Sequence, residues 1–176
     1  DVDFAQDVDT IYFASRDYDP RSLTRTADDS WSFSVLSFQP SIATPTGAGV
    51  TATSGSGSTT YTYKVAAIDA DTGEESLPTG SVNTTNDLTT SGNENTVTWN
   101  SVSNASVYLV YKESNGLFGF IGTTSALQFV DDNIKADVGD TPQLARNPFS
   151  SNDDRPAVTT FVEQRLTFAS TANNPQ

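Results

Sequence analysis

The chain has 176 residues, a formal net charge of −13, and no Cys, His or Met. Without Cys or His it has no disulfides, no thiolate or imidazole metal ligands and no catalytic triad of the usual kinds. Nine basic against twenty-two acidic residues leave no surplus of Lys and Arg to neutralise phosphates, so tight nucleic-acid binding is not expected.

The first forty residues read as short strands on tight turns. Thr10–Ser15 alternates as a strand, Asp17-Tyr18-Asp19-Pro20 turns, Ser22–Arg25 is a second strand, and Trp31–Phe38 alternates as a third after Asp28-Asp29-Ser30. Antiparallel strands on Asp/Pro turns predict a meander or one blade of a propeller. The acids Asp1, Asp3, Asp7 and Asp9 read as a fraying terminus. Residues 41–46 are a linker by composition. Gly49–Thr53 reads as an edge strand and Ser54–Ser58 as a flexible loop.

Thr60–Asp69 is the longest strand-like run, with Tyr61, Tyr63, Val65 and Ala67 on one face. Ala70–Gly73 turns it, and Glu74 to Thr84 returns before a polar loop over residues 86–93. Asn95–Asn100, Ser106–Lys112, Phe118–Thr123 and Leu127–Val130 follow, with Asn115-Gly116 as a hairpin turn. In Ser106–Lys112, Val107, Leu109 and Tyr111 oppose Tyr108 and Val110. Period-two alternation of β-branched and aromatic residues marks half-buried strands, and no stretch has helical spacing. The expected fold is all-β: a sandwich over residues 47–134 with Trp99, Tyr61, Tyr63, Val65, Leu109, Tyr111, Ile121 and Phe129 as its core. Residues 135–145 form the exit linker, and residues 146–176 end the chain with a strand, a turn and a strand.

The two ends repeat each other. Phe13-Ala14-Ser15 precedes Pro20 by the same spacing that separates Phe168-Ala169-Ser170 from Pro175, with matching apolar lead-ins Ile11-Tyr12 and Leu166-Thr167. All six arginines lie outside residues 47–134, whose bases are Lys64 and Lys112 alone. Arg suits pairing within packed units. Residues 1–40 and 146–176 are therefore expected to form one interrupted scaffold, with Arg16, Arg21 or Arg165 pairing with acids across the junction. The sequence begins at Asp1 and lacks Met, which predicts a trimmed or processed piece.

Three constellations carry chemistry on paper. Asp69, Asp71, Glu74 and Glu75 could supply hard oxygens to Ca²⁺, but the spacing is not that of an EF-hand, and a solvated turn is the preferred reading. Asp28–Asp29, Asp131–Asp132 and Asp153–Asp154 are adjacent pairs, and adjacent strand residues point to opposite faces, which does not suit glycoside hydrolysis. Tyr108, Tyr111, Phe118 and Phe120 could stack on a sugar, with core packing preferred. No acid, base and nucleophile occur together, so no enzyme and no cofactor are expected.

Over residues 47–134 the sequence resembles fibronectin type III domains, an Ig-like sandwich. The resemblance rests on Tyr61–Asp69 with Gly73-Glu74-Glu75-Ser76, on Thr96-Val97-Thr98-Trp99 before Ala105–Tyr111, and on Phe120–Thr123 with Phe129-Val130-Asp131. The late strands come first, as in a circular permutation. The resemblance implies that Trp99 is the core Trp and Tyr61 the tyrosine corner.

The whole chain resembles the tail nozzle or packaged-DNA stabilisation proteins of short-tailed, podovirus-type phages. The segments are Asp9–Tyr12, Asp19–Arg25, Ser30–Phe33, Gly73–Pro78, Arg146–Phe149 and Pro156–Thr171. This implies a virion structural protein, in a homo-oligomeric ring with other tail proteins, that takes part in DNA ejection without gripping DNA or a membrane. The sandwich is then a decoration or docking module, with a host-surface glycan as a further partner to consider. The alternative is a secreted bacterial adhesion or carbohydrate-binding module of fibronectin type III type.

Overall fold

A computed structural model describes residues 1–53, 57–144, 147–149 and 151–175. The chain divides into a flanking unit, residues 1–39 with 146–176, and a central unit, residues 40–145. Both are built from antiparallel strands, and the fold is all-β. Residues 54–56 of the expected flexible loop, and Arg146, lie outside the described residues.

In the flanking unit β1 (Asp3–Asp7), β2 (Thr10–Ser15), β3 (Tyr18–Ala27) and β4 (Ser30–Val35) form a four-stranded meander in sequence order. β1 was not expected. The acids around it read as a fraying terminus, but Phe4 and Ala5 pair with Phe13 and Tyr12.

In the central unit β5 (Gly49–Ala52), β6 (Thr59–Asp69), β7 (Val82–Asn86), β8 (Asn95–Thr98), β9 (Ala105–Ser114), β10 (Leu117–Thr124) and β11 (Gln128–Asp131) make two sheets. Their orders are β10-β9-β6-β7 and β11-β8-β5. After a 3₁₀ turn at Asn152–Asp154, β12 (Val158–Val162) and β13 (Arg165–Ala169) pair as a hairpin within the flanking unit.

The two central sheets share one core. Tyr63, Val65 and Ala67 of β6, Tyr108 and Val110 of β9, and Ile121 of β10 meet Val97 and Trp99 from the other sheet. Tyr61 and Phe129 pack at its margin. Alternation along β6 places its four apolar residues inward, as the period-two pattern requires. Leu109 departs from expectation: it lies half-buried on the outer face of β9, because the inward pair is Tyr108 and Val110. Tyr111 shares that outer face. It is buried there under Glu75, whose Oε1 accepts the phenol O–H at 2.7 Å, and beside Phe120.

The expected linkers are folded into the central unit. Ile42 joins the sandwich core, and Thr46 O accepts the Asn100 N–H at 2.8 Å. The segment after β11 bridges back to β10 through reciprocal hydrogen bonds between Phe120 and Asp137. Gly119 permits this approach, since a Cβ there would lie 2.6 Å from the Asp137 carbonyl carbon.

Trp99 packs at 5.3 Å from Tyr108, and its indole Nε1 meets no acceptor among the described residues. Its contribution is therefore packing. Trp99→Ala is expected to cost about 3–5 kcal/mol, and Leu109→Ala on the outer face less than half as much, measured by chemical denaturation. Equal losses would place Leu109 in the same core.

Candidate functional site

The most elaborate side-chain assembly lies between the sheets of the central unit. Asp131, fully buried at the end of β11, accepts the Tyr63 O–H at 2.7 Å and the Lys112 ammonium at 2.9 Å. Its other oxygen accepts the backbone N–H groups of Asn133 and Ile134 and a second Lys112 contact at 3.1 Å. Asn95 donates to the Tyr63 hydroxyl at 2.8 Å, and Asn86 donates to Asn95 at 2.9 Å. The Lys112 ammonium also lies 5.9 Å from the Tyr61 ring centre. Burial, together with the Asp131 carboxylate, raises the Tyr63 phenol pKa far above its ordinary value of 10.0, although the Asn95 hydrogen bond opposes this. Every group is occupied by another, and the phenol is locked in its neutral form. The arrangement ties the two sheets of the central unit together.

The four acids of the Asp69–Glu75 turn do not converge. Asp69 Oδ1 accepts the N–H groups of Asp71 and Thr72 at 3.0 and 2.9 Å, and Asn104 bridges Asp69 to Asp71 at 3.0 Å each. Glu74 accepts from Ser41 N and Oγ, and Glu75 from Tyr111. Among the described residues no three His, Cys, Asp or Glu side chains gather where they could hold a metal ion. Of the adjacent acid pairs, Asp131 belongs to the buried network, Asp154 accepts from Ser151 and Asn173, and Asp28 pairs with Arg25.

Of the four candidate sugar-stacking residues, Tyr111, Phe118 and Phe120 share the outer face of β9 and β10, and Tyr108 does not. Tyr108 is in the core, where its hydroxyl accepts the Val102 N–H at 2.9 Å. Tyr111 is buried on the opposite face, and Lys64 lies 4.5 Å over the Phe118 ring. The Tyr108 bond reaches a backbone group six residues upstream, which is the tyrosine-corner geometry. Tyr61, the expected corner, instead accepts from Leu88, 27 residues downstream, at 3.3 Å.

The flanking unit has a surface that sequence reading missed. Cross-strand partners share a face. The row Phe4, Phe13, Arg21 and Val35 and the row Gln6, Ile11, Leu23 and Phe33 therefore lie on one side of the meander. Tyr12, Ser22 and Ser34 lie on the other. Hairpin β12–β13 covers that second side: Phe161 packs edge-on to Tyr12 at 5.9 Å, and Asp3 Oδ2 accepts the Thr159 N–H at 2.8 Å. The first side is open, with Phe4 63%, Phe33 57% and Trp31 55% exposed. Arg21 stacks 5.3 Å from the Phe33 ring centre, and with Phe13, Tyr18 and Val2 these residues line a concavity of about 320 Å³. The alternation of Trp31-Ser32-Phe33-Ser34-Val35 was the available signal. Contiguous exposed apolar surface of this kind marks an interaction site.

The ion pair that joins the two flanks is Arg155 with Asp19, at 3.0 Å, and Arg155 also donates to Asp17 O at 2.9 Å. Arg16 donates to Ser170 at 3.2 Å, while Arg21 stacks on Phe33. No family model and no curated protein matches the sequence.

Removing one partner of a buried ion pair strands the other charge. Lys112→Met and Asp131→Asn are each expected to cost about 3–5 kcal/mol, and the double variant clearly less than their sum. Additive losses in that cycle would show the two groups to be independent.

The acidic turn sets a pH response. Hydrogen bonds from Thr72 and Asp71 hold Asp69 below its ordinary 3.8, and Ser41 holds Glu74 below 4.5. Their stabilisation is present above those ordinary values and is lost as pH falls through the lowered ones. Burial raises Glu75, the Tyr111 hydrogen bond opposing it, so its contribution has the opposite sign and is lost as pH rises through the raised value. Melting midpoints from about pH 7 to pH 2.5 should fall on the acid side. Asp69→Asn should shrink that fall, and Glu75→Gln should raise the neutral-pH midpoint. An Asp69→Asn curve parallel to wild type would contradict this account.

Proposed function

We propose that this chain is a non-enzymatic structural component of a phage tail, of the nozzle or DNA-stabilisation type, into which a fibronectin type III-like sandwich is inserted. The observation that carries the reading is the pair of equivalent hairpins on either side of the central unit. Asp3 pairs with Ala14 in β1–β2, and Val158 pairs with Ala169 in β12–β13; each later position lies 155 residues on, and the remaining pairs follow in step. A repeat interrupted by an independently cored sandwich is what insertion of a decoration module into a repeated scaffold would produce.

The sheet orders support the permuted fibronectin reading. Taking β8 as the Trp-bearing early strand, β9 and β10 as its successors and β6–β7 as the late pair, the orders β10-β9-β6-β7 and β11-β8-β5 reproduce that family's four-on-three arrangement with the late pair moved forward.

Charge fits a part that lets DNA pass. Lys112 is committed to Asp131, Lys64 to the Phe118 ring, Arg155 to Asp19 and Arg25 to Asp9 and Asp28. These commitments reduce the number of cations free for counterion release.

The test is location. Peptides of this chain should be recovered from purified virions in several copies per particle, and antibody raised against the central unit should decorate the tail. Recovery only from culture supernatant, or from a bacterial surface, would instead support a secreted adhesion or carbohydrate-binding module. Duplex DNA at physiological salt should bind no tighter than about 1 μM, the strong end of non-specific affinity. Tighter binding would count against a passive conduit.

A further inference from the structure

Local sequence shapes one end of the open side of the meander. Between the pairs Phe13–Arg21 and Ser15–Tyr18 the register of β2 with β3 steps by one, so Asp19 and Pro20 together stand against Ala14. Pro20 has no N–H to give the ladder, and a bulge is where a strand tolerates that loss and bends. Ala14 and Ser15 are small, and beside them Phe13, Tyr18, Phe33 and Val2 wall the concavity of about 320 Å³. Small-molecule sites occupy roughly 300–1,000 Å³ and combine apolar walls with a few placed polar groups.

The polar groups of the concavity select its ligand. Ser15 Oγ accepts the Asp17 N–H at 3.2 Å, and Asp19 Oδ1 accepts from Arg155 at 3.0 Å. Asp19 is thereby neutralised, and of the two charged side chains lining the hollow, Arg21 has no ion pair among the described residues. Its guanidinium carbon lies 5.3 Å from the Phe33 ring centre. A guanidinium stacked on a ring keeps its in-plane N–H fork free, and that fork matches the two oxygens of a carboxylate. One uncompensated cation in an apolar hollow calls for one anionic group on an apolar body. A sugar ring would bury several hydroxyls there with too few partners, and an ammonium would be repelled.

We propose that this concavity binds a small amphiphilic carboxylic acid, held by its carboxylate at Arg21 and by its apolar body against Phe13 and Phe33. The hollow holds one small molecule, whereas a stable protein partner engages roughly 20–30 residues a side. The site rests on the bulge, the apolar walls and the unpaired guanidinium, and stands whether or not the chain comes from a tail.

Titration of the whole chain with 2-naphthoate, followed by NMR, should shift the amides of Phe13, Arg21 and Phe33 with a dissociation constant of about 1 mM or tighter. 2-Naphthamide keeps the rings and lacks the charge, and should bind roughly tenfold more weakly. Arg21→Gln should erase that preference, and Arg21→Lys, a point charge without the fork, should restore part of it. Should Arg21→Gln lower the melting midpoint, Val2→Asp takes its place, because Val2 precedes β1 and is 57% exposed. The added carboxylate should weaken 2-naphthoate by a similar factor. No shift at about 10 mM, equal binding of acid and amide, or shifts confined to residues outside the concavity would each overturn the proposal. A peptide ending in a free Phe carboxylate that binds roughly tenfold tighter than 2-naphthoate would overturn it too, by assigning the site to a protein terminus.

Discussion

The buried Asp131 carboxylate is the constraint on which the central unit depends. It sits at the end of β11, in one sheet, and is held by Tyr63 of β6 and Lys112 of β9, in the other. Asn95 of β8 and Asn86 of β7 extend the same network. Removing an ion pair from water is costly unless every remaining lone pair and proton is satisfied, and here the Asn133 and Ile134 amides complete the carboxylate's coordination. A slip of one residue in β9 would turn Lys112 to the outer face and bring Tyr111 and Leu109 inward. The apolar contacts alone would tolerate that exchange, because both faces of β9 are apolar. The ion pair does not tolerate it, and so it fixes the register that the hydrophobic pattern leaves ambiguous.

This explains which parts of the fold were legible in the sequence. Tyr63, Val65, Trp99 and Ile121 belong to runs whose alternation has one apolar side, and they are in the core as expected. Ser106–Lys112 alternates two apolar sets, and nothing local decides between Leu109 and Val110. The deciding residue, Lys112, reads in sequence as a surface lysine. Its partner Asp131, and the Tyr63 and Asn95 that extend the network from that carboxylate, are too far along the chain for spacing to connect them. Strand β1 was missed because its apolar residues are few, yet the repeat shared by the two ends contains it. Carried upstream from Ile11, the same offset aligns Asp3–Asp7 with Val158–Val162.

The acidic turn illustrates how composition misleads about sites. Four carboxylates within seven residues suggest a cation, but each carboxylate here accepts hydrogen bonds from donors of the protein itself. Asp69 closes the turn, with Gly73 at a φ of 72° and Asn104 at 63° shaping the chain around it. Glu74 fastens the segment entering the sandwich through Ser41, and Glu75 caps Tyr111 on the outer face. Oxygens committed to N–H and O–H donors point toward those donors and away from a shared centre, so the cluster exists in sequence and not in space.

In the flanking unit the relation between faces carries more information than their polarity. A meander with one hydroxyl-rich side and one aromatic side would ordinarily bury the aromatic side. Here the hydroxyl-rich side is covered and the aromatic one exposed. The inversion follows from the repeat. Hairpin β12–β13 presents the face equivalent to the aromatic side and packs it on the Tyr12 side of the meander. Covering one such contact by one hairpin leaves each element with its opposite face unpaired. The exposed Phe4, Trp31 and Phe33 are thus a consequence of how the unit is built, rather than a failure to pack.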